Sequence, residues 1–222
     1  MIHGDSVRSG VFGEVVGERG HRLHEWSLAW GTPPPQPVDA YAALLVLGGA
    51  MHADQDERHP WLREENLFLQ RLLHGGQPVF GVCLGSQLLA KAAHADVGPA
   101  AEPEVGWFPV ELTDAGREDP VFRVLPERFD AFQWHYYTHG VPAGGVELAR
   151  SPVCTQAFRL GERVWGIQSH PEVTASIVES WIAEEPEAVP ETLADETRGR
   201  IDGWSELGRR LCGAFLDVAE QA

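Results

Sequence analysis

Lysine is almost missing from this 222-residue chain. Lys91 is the lone one, and the remaining basic residues are scattered arginines, against 33 acids and for a formal net charge of −16. With no basic cluster to oppose it, such a field repels phosphate backbones and anionic lipid, which excludes nucleic acid and membrane surfaces as expected partners. Long apolar runs are missing too. The best candidate, Ala42 to Leu47, falls far short of the ~20 apolar residues that a bilayer span requires, and Met1-Ile-His-Gly-Asp5 does not open like a signal peptide. A cytoplasmic protein is the expectation.

Cysteine is scarce. Cys83, Cys154 and Cys212 are odd in number and far apart, with no Cys-x-x-Cys pair, so neither a disulfide framework nor a thiolate zinc site fits. At least one thiol is therefore free, and its setting requires an explanation. What the chain does have is 43% apolar residues, enough for the core of one good-sized α/β domain or two small ones.

Strand-like and helix-like segments alternate through the first two-thirds. Residues 10–19 read as a helix closed by Gly20, and 21–28 as a strand with Leu23 and Trp26 as its apolar positions; the proline-rich loop 31–37 cannot pair in a sheet. Tyr41 to Leu47 is a continuous apolar run ended by Gly48-Gly49, the pattern of a strand covered on both faces, and so of parallel strands with helices packed on them. Pro60 opens a helix whose Leu62, Leu69, Leu72 and Leu73 can share a buried face. A second buried strand follows at 78–82 and a helix at 84–93. Beyond Gly98, short alternating segments at 107–112, 130–134, 145–148, 155–160 and 164–168 predict antiparallel hairpins joined to the parallel sheet. From Glu184 the chain is acidic and punctuated by proline, then amphipathic from Trp204 to Ala219, with Leu207, Leu211, Phe215 and Val218 at helical spacing. It reads as a solvated linker and a packing helix.

Three stretches carry chemistry. In Gly81-Val-Cys83-Leu-Gly85, between a buried strand and a helix, flanking glycines admit a sharp turn that points the cysteine out of the sheet. A helix N-terminus favours thiolate, and the N–H of Leu84 is free to face an oxyanion. A small buried cysteine between packing glycines explains this pentapeptide equally well. The second stretch, Gln168-Ser-His-Pro-Glu172, puts His170 just past a strand end with Glu172 two residues on. A thiol attacking an amide needs a base that later protonates the departing nitrogen, and a carboxylate can fix the tautomer of that base. A surface or capping histidine is the alternative. It weakens because Cys83 and His170 each follow an apolar strand, so a parallel sheet could deliver both to one carboxyl edge. In the third stretch, Gly48-Gly49 lets backbone approach a ligand and could supply a second oxyanion N–H, from Gly49, although a plain turn explains a double glycine alone.

In this order and spacing the motifs resemble the class I (triad) glutamine amidotransferase domain, over roughly residues 8 to 182. The stand-alone branch similar to the amidotransferase domain of GMP synthase is the nearest in pattern, through Pro60-Trp-Leu-Arg-Glu-Glu65, Glu104-Val-Gly-Trp107 and Phe132-Gln-Trp-His135. The resemblance implies a three-layer, flavodoxin-like, mixed and mostly parallel sheet with helices on both faces and a small antiparallel extension. It implies a domain at 1–182, its first strand apparently truncated, and an acidic linker with an amphipathic helix at 183–222. It further implies a Cys83–His170–Glu172 triad, an oxyanion hole from Gly49 and Leu84, and substrate contacts from Gly48, Gln87, Trp134, His135 and Tyr136.

Two departures stand out. Where the family usually reads His-Gly-Asp, this chain has His135-Tyr136-Tyr137, so an acidic residue expected near the substrate's amino group is absent. Ala50 stands where proline is common. His135 with His139, or His52 with Asp54 and His59, fall in segments read as loops and lack a third well-spaced ligand, so surface histidines and no metal are expected. With no Gly-rich phosphate loop, no cofactor is expected either. The leading expectation is a glutaminase supplying ammonia to a separate synthetase. A γ-glutamyl hydrolase or peptidase with the same triad is the runner-up, favoured by the Tyr136-Tyr137 departure; a silent binding or regulatory domain is third, opposed by the intact triad.

Overall fold

The computed structural model describes residues 1–187 and 189–221. Its strands are β1 (Leu44–Val46), β2 (Val79–Val82), β3 (Val97–Leu112), β4 (Arg128–His139), β5 (Gly145–Arg150), β6 (Thr155–Leu160) and β7 (Val164–Ile167). The helices are α1 (Gly10–Glu18), α2 (Trp61–Gly75), α3 (Leu84–Ala92), α4 (Asp114–Glu118), α5 (Ala175–Glu184) and α6 (Leu193–Ala219). One open sheet runs in the order β1-β2-β7-β6-β5-β3-β4.

Alternation along the buried strands divides the core into two layers. Val79 packs with Leu62, Leu69 and Leu72 of α2 and Leu88 and Leu89 of α3, while Phe80 and Val82 face Phe12 of α1 and Leu211 and Phe215 of α6. Helices therefore cover both faces, as the three-layer flavodoxin-like fold requires. β1, β2 and β7 pair in parallel, whereas the other neighbours, from β7 through β6, β5 and β3 to β4, pair antiparallel.

The antiparallel part is larger than a small extension because β3 and β4 continue as a long hairpin, pairing Val97 with His139 at one end and Glu111 with Arg128 at the other. Only its inner half carries the alternating apolar pattern. The outer half holds Pro99, Pro103 and exposed Ala101 and Glu102, which give no strand signal.

Residues 21–28 do not form the expected strand. An isolated bridge between Ser27 and Thr32 is the pairing found there, Leu23 is exposed, and Trp26 is buried edge-on against Phe68 at 5.4 Å. Its apolar spacing serves that one contact rather than a sheet. The helices α4 and α5 carry no counterpart in the sequence reading, and α6 begins at Leu193 rather than Trp204.

The first residues are less polar in setting than in composition. Met1, Ile2 and His3 are buried; the Met1 amine donates to Leu45 O at 2.6 Å, and Leu47 N donates to Met1 O at 3.0 Å. They run beside the outer edge of β1. Among the described residues, no helix is long and apolar enough to cross a membrane.

Candidate active site

β2 and β7 are parallel neighbours, with Val82 in register with Ile167. The next step of the ladder is Cys83 N donating to Ile167 O at 2.8 Å, so Cys83 and the segment leading to His170 leave the sheet side by side at its carboxyl edge. Cys83 is the N-cap of α3 with φ 51° and ψ −110°. A left-handed φ in a side-chain-bearing residue costs of order 1–3 kcal/mol and persists only where its surroundings enforce it. Here the enforcement is close backbone packing: a Cβ on Gly85 would collide with the carbonyl of Val46 in β1, and one on Gly81 would lie 2.7 Å from Gly85 O. Both glycines of the motif are thus accounted for by the turn that exposes the thiol to the pocket.

His170 is buried, and its Nδ1 lies 2.8 Å from Glu172 Oε1. Burial penalises a charged imidazole, but Glu172 and Cys83 outweigh it, and His170 is pushed up to about 10. Burial first pushes Cys154 up to about 11 and Cys212 up to about 12, so both stay protonated at neutral pH.

The His-Pro-Glu segment is clamped from three elements. His170 N donates to Phe132 O of β4 at 2.9 Å, Val11 N at the start of α1 donates to Glu172 O at 2.9 Å, and the indole of Trp204 in α6 donates to His170 O at 2.7 Å. Cβ atoms at Gly10 and Gly208 would strike the carbonyls of Glu172 and Pro171, so α1 and α6 press directly on the segment.

Gly48 abuts both residues: a Cβ there would lie 3.2 Å from His170 Cε1 and 3.7 Å from Cys83 Cβ. Gly49, Leu84, Gln87, Trp134, His135 and Tyr136 line one pocket with Cys83 and His170. Gln87 Nε2 donates to Tyr137 O at 2.8 Å, and the Cys83 thiol points at Trp134 O at 3.8 Å. All the residues expected at the site from sequence thus meet at one place.

The glutamine amidotransferase class-I family model matches residues 21–184. The chain belongs to that family. The glutamine amidotransferase-like protein YfeJ of Salmonella typhimurium is 29% identical over 82% of this chain and 78% of its own length. GMP synthase [glutamine-hydrolyzing] of Aeropyrum pernix is 37% identical over 73% of this chain, which spans 32% of that protein. A gamma-glutamyl-L-1-hydroxyisopropylamide hydrolase of a Pseudomonas species is 29% identical over 75% of this chain and 59% of its own length. A crystal structure of a glutamine amidotransferase from Thermotoga maritima superposes with a TM-score of 0.88 at 27% identity, covering 100% of this chain and 96% of the other.

Within this amidotransferase fold, several pocket residues were not legible in the motifs. Trp181 of α5 packs edge-on against His170 at 4.9 Å and against Trp134 at 5.6 Å, with its indole donating to Ser6 O at 2.9 Å. Tyr137, in the position usually acidic, stacks flat on His52 at 3.8 Å. The acids at the pocket mouth are Glu184 and Glu185. Burial first, and Glu185 second, push the Tyr136 phenol up. Ile177, Val178, Trp181 and Ile182 stand at helical spacing beyond Pro171 and are the signal for α5, but no motif marks Trp181 as a pocket residue.

His135 and His139 are not surface histidines in loops: both are buried on β4. They sit there because the outer half of the hairpin folds over α3, bringing His139 edge-on to Phe158 at 5.1 Å. His135 Nε2 lies 3.0 Å from Glu104 Oε2, which also accepts from Gln156 at 2.8 Å and Ser151 at 3.2 Å. Cys154 joins Glu104 and His135 within ligand range of one another, and Glu104 Oε2 is the acceptor that the Gln156 and Ser151 donors share. The cluster is a hydrogen-bonded support for the pocket wall.

Proposed function

We propose that the chain hydrolyses the side-chain amide of glutamine through a cysteinyl thioester and releases ammonia for a separate acceptor enzyme. Cys83 Sγ attacks the amide carbon while the N–H groups of Gly49 and Leu84 hold the negative oxygen. The C–N bond then breaks, and His170 gives its proton to the departing nitrogen. Water, deprotonated by the same imidazole, attacks the γ-glutamyl thioester; its collapse returns the thiol and frees glutamate. Glu172 accepts from His170 Nδ1, which fixes the tautomer and supports the imidazolium. The single observation carrying this reading is the Cys83 elbow beside a buried His170–Glu172 pair on adjacent parallel strands. Gln87 and the 134–137 wall are assigned to the glutamyl end.

A second reading, hydrolysis of γ-glutamyl amides with a larger amine, draws support from the far side of His170. The departing nitrogen leaves toward the group that protonates it, and there the pocket is walled by Trp181 and Val7. Apolar walls favour an amine with a carbon body over bare ammonia. Purified protein incubated with glutamine, γ-glutamyl isopropylamide and γ-glutamyl peptides separates the two. Glutamine turnover abolished in Cys83→Ala supports the first, turnover confined to the larger amides supports the second, and no turnover and no acyl-enzyme with any of them overturns both.

A further inference from the structure

We propose that His3 and Glu65, which the chemistry above does not use, form a positioning pair that orients the Gly49 N–H of the oxyanion turn. The inference rests on the assignment of that N–H to the oxyanion hole. His3 Nδ1 lies 3.0 Å from both Leu47 O and Gly48 O. Carbonyl oxygens only accept, so Nδ1 carries the hydrogen and donates. On the other side of the ring, Nε2 lies 2.8 Å from Glu65 Oε1, and both side chains are fully buried.

The cost of burying Glu65 argues for a use. It stands on the apolar face of α2 with Leu62, Leu69 and Leu72, where a carboxyl is expensive unless paired. Its partner is held from a second direction by Trp61, stacked on the His3 ring at 5.8 Å. Helix α2 thereby fixes an imidazole whose contacts end on the Leu47-Gly48-Gly49 turn.

The link to the oxyanion is covalent geometry. Gly48 C=O and Gly49 N–H belong to one planar trans peptide, so they point in opposite directions. Holding the Gly48 oxygen toward His3 directs the Gly49 N–H away from it. Two consecutive glycines otherwise leave that peptide free to rotate. Side chains also confine the turn: a Cβ at Gly49 would lie 2.8 Å from His3 Cβ and 2.8 Å from Leu84 Cδ2.

The test compares two reactions of Cys83, each followed by mass spectrometry of its peptide. Acetylation by p-nitrophenyl acetate passes through a tetrahedral oxyanion and expels p-nitrophenolate; alkylation by iodoacetamide is a displacement of iodide with no oxyanion. His3→Phe keeps an aromatic ring on Trp61 but has no donor, and the acylation-to-alkylation ratio is expected to fall by roughly ten- to a hundredfold, with kcat lowered and KM retained. His3→Asn, whose amide nitrogen takes the place of Nδ1, is expected to restore most of the ratio. If His3→Phe does not fold, the double variant His3→Phe with Glu65→Leu removes the unpaired carboxyl and is read instead. A ratio within twofold of wild type in the phenylalanine variant that folds, or a wild-type protein that is alkylated but not acylated, overturns the inference. A lowered ratio in a protein that turns over no γ-glutamyl compound leaves the positioning pair standing and overturns the proposed function.

Discussion

The indole N–H of Trp204 donates to the carbonyl oxygen of His170 at 2.7 Å. This ties the expected base to a helix lying beyond the 21–184 span matched by the family. Trp204 is buried, stacked on Phe129 at 6.0 Å and edge-on to Trp107 at 6.2 Å, so its ring is held independently of the hydrogen bond. Trp204→Phe is expected to keep that packing, to cost about 1–3 kcal/mol for the stranded carbonyl, and to lower kcat about tenfold through a displaced His170. KM should stay within twofold. Steady-state kinetics and a urea titration check it; equal kcat in the two proteins would reduce Trp204 to packing.

The glycines of α6 provide a test with opposite signs. Gly203 has open space where a side chain would go, whereas a Cβ on Gly208 would strike Pro171 O. Alanine in a helix interior ordinarily gains about 1 kcal/mol over glycine. Gly203→Ala should therefore stabilise by about that amount, and Gly208→Ala should destabilise by about 1–3 kcal/mol while lowering turnover. Denaturant midpoints of the two variants decide it.

Much of this site is legible in the sequence because it lies at the ends of buried strands. The run before Gly48 and the short strands before Cys83 and the His-Pro-Glu segment have no polar face, which marks them as buried parallel strands able to deliver Cys83 and His170 to one carboxyl edge; that β2 and β7 are direct neighbours is visible only in the structure. Residues that support the site from behind give no such pattern. His3 stands in a short polar-looking start, Glu65 interrupts a leucine face, and Trp204 is one apolar position among several on α6. His3 and Trp204 contact backbone carbonyls, which every residue possesses, and Glu65 contacts only His3, so no motif distinguishes the recipient. Residues 21–28 mislead for the converse reason: Leu23 and Trp26 are three apart, which puts them on opposite sides of an extended chain, and only Trp26 finds a buried neighbour.

Acid sensitivity is expected from His139. Its Nδ1 donates to Gly140 O at 3.2 Å, its Nε2 is buried with no partner among the described residues, and burial first pushes it down to about 4. A depressed value means that its contribution is present in full above the unfolded value of about 6.5 and is lost as pH falls through the folded one. His139→Phe keeps the ring against Phe158 and removes the titration. Between pH 7 and pH 4 the variant should lose up to about 3 kcal/mol less stability than wild type, measured by urea titrations across that range. Parallel acid limbs would place the sensitivity elsewhere.

Glu172 gives the opposite sign. Opposed by burial but supported by Glu172 and Cys83, His170 is pushed up to about 10, so the pair's contribution is complete below about pH 6.5 and disappears as pH climbs through the folded value. Glu172→Gln retains the shape and an acceptor for Nδ1–H but removes the charge, leaving the imidazolium without its buried counter-ion. The variant is expected to be less stable than wild type by about 3 kcal/mol at pH 6, with the difference closing toward pH 10. Its turnover at neutral pH should fall by about 10²–10⁴, since a correctly placed but less basic imidazole serves poorly as the base for water. Urea midpoints at pH 6, 8 and 10 separate this from simple loss of packing, which would leave the difference the same at all three.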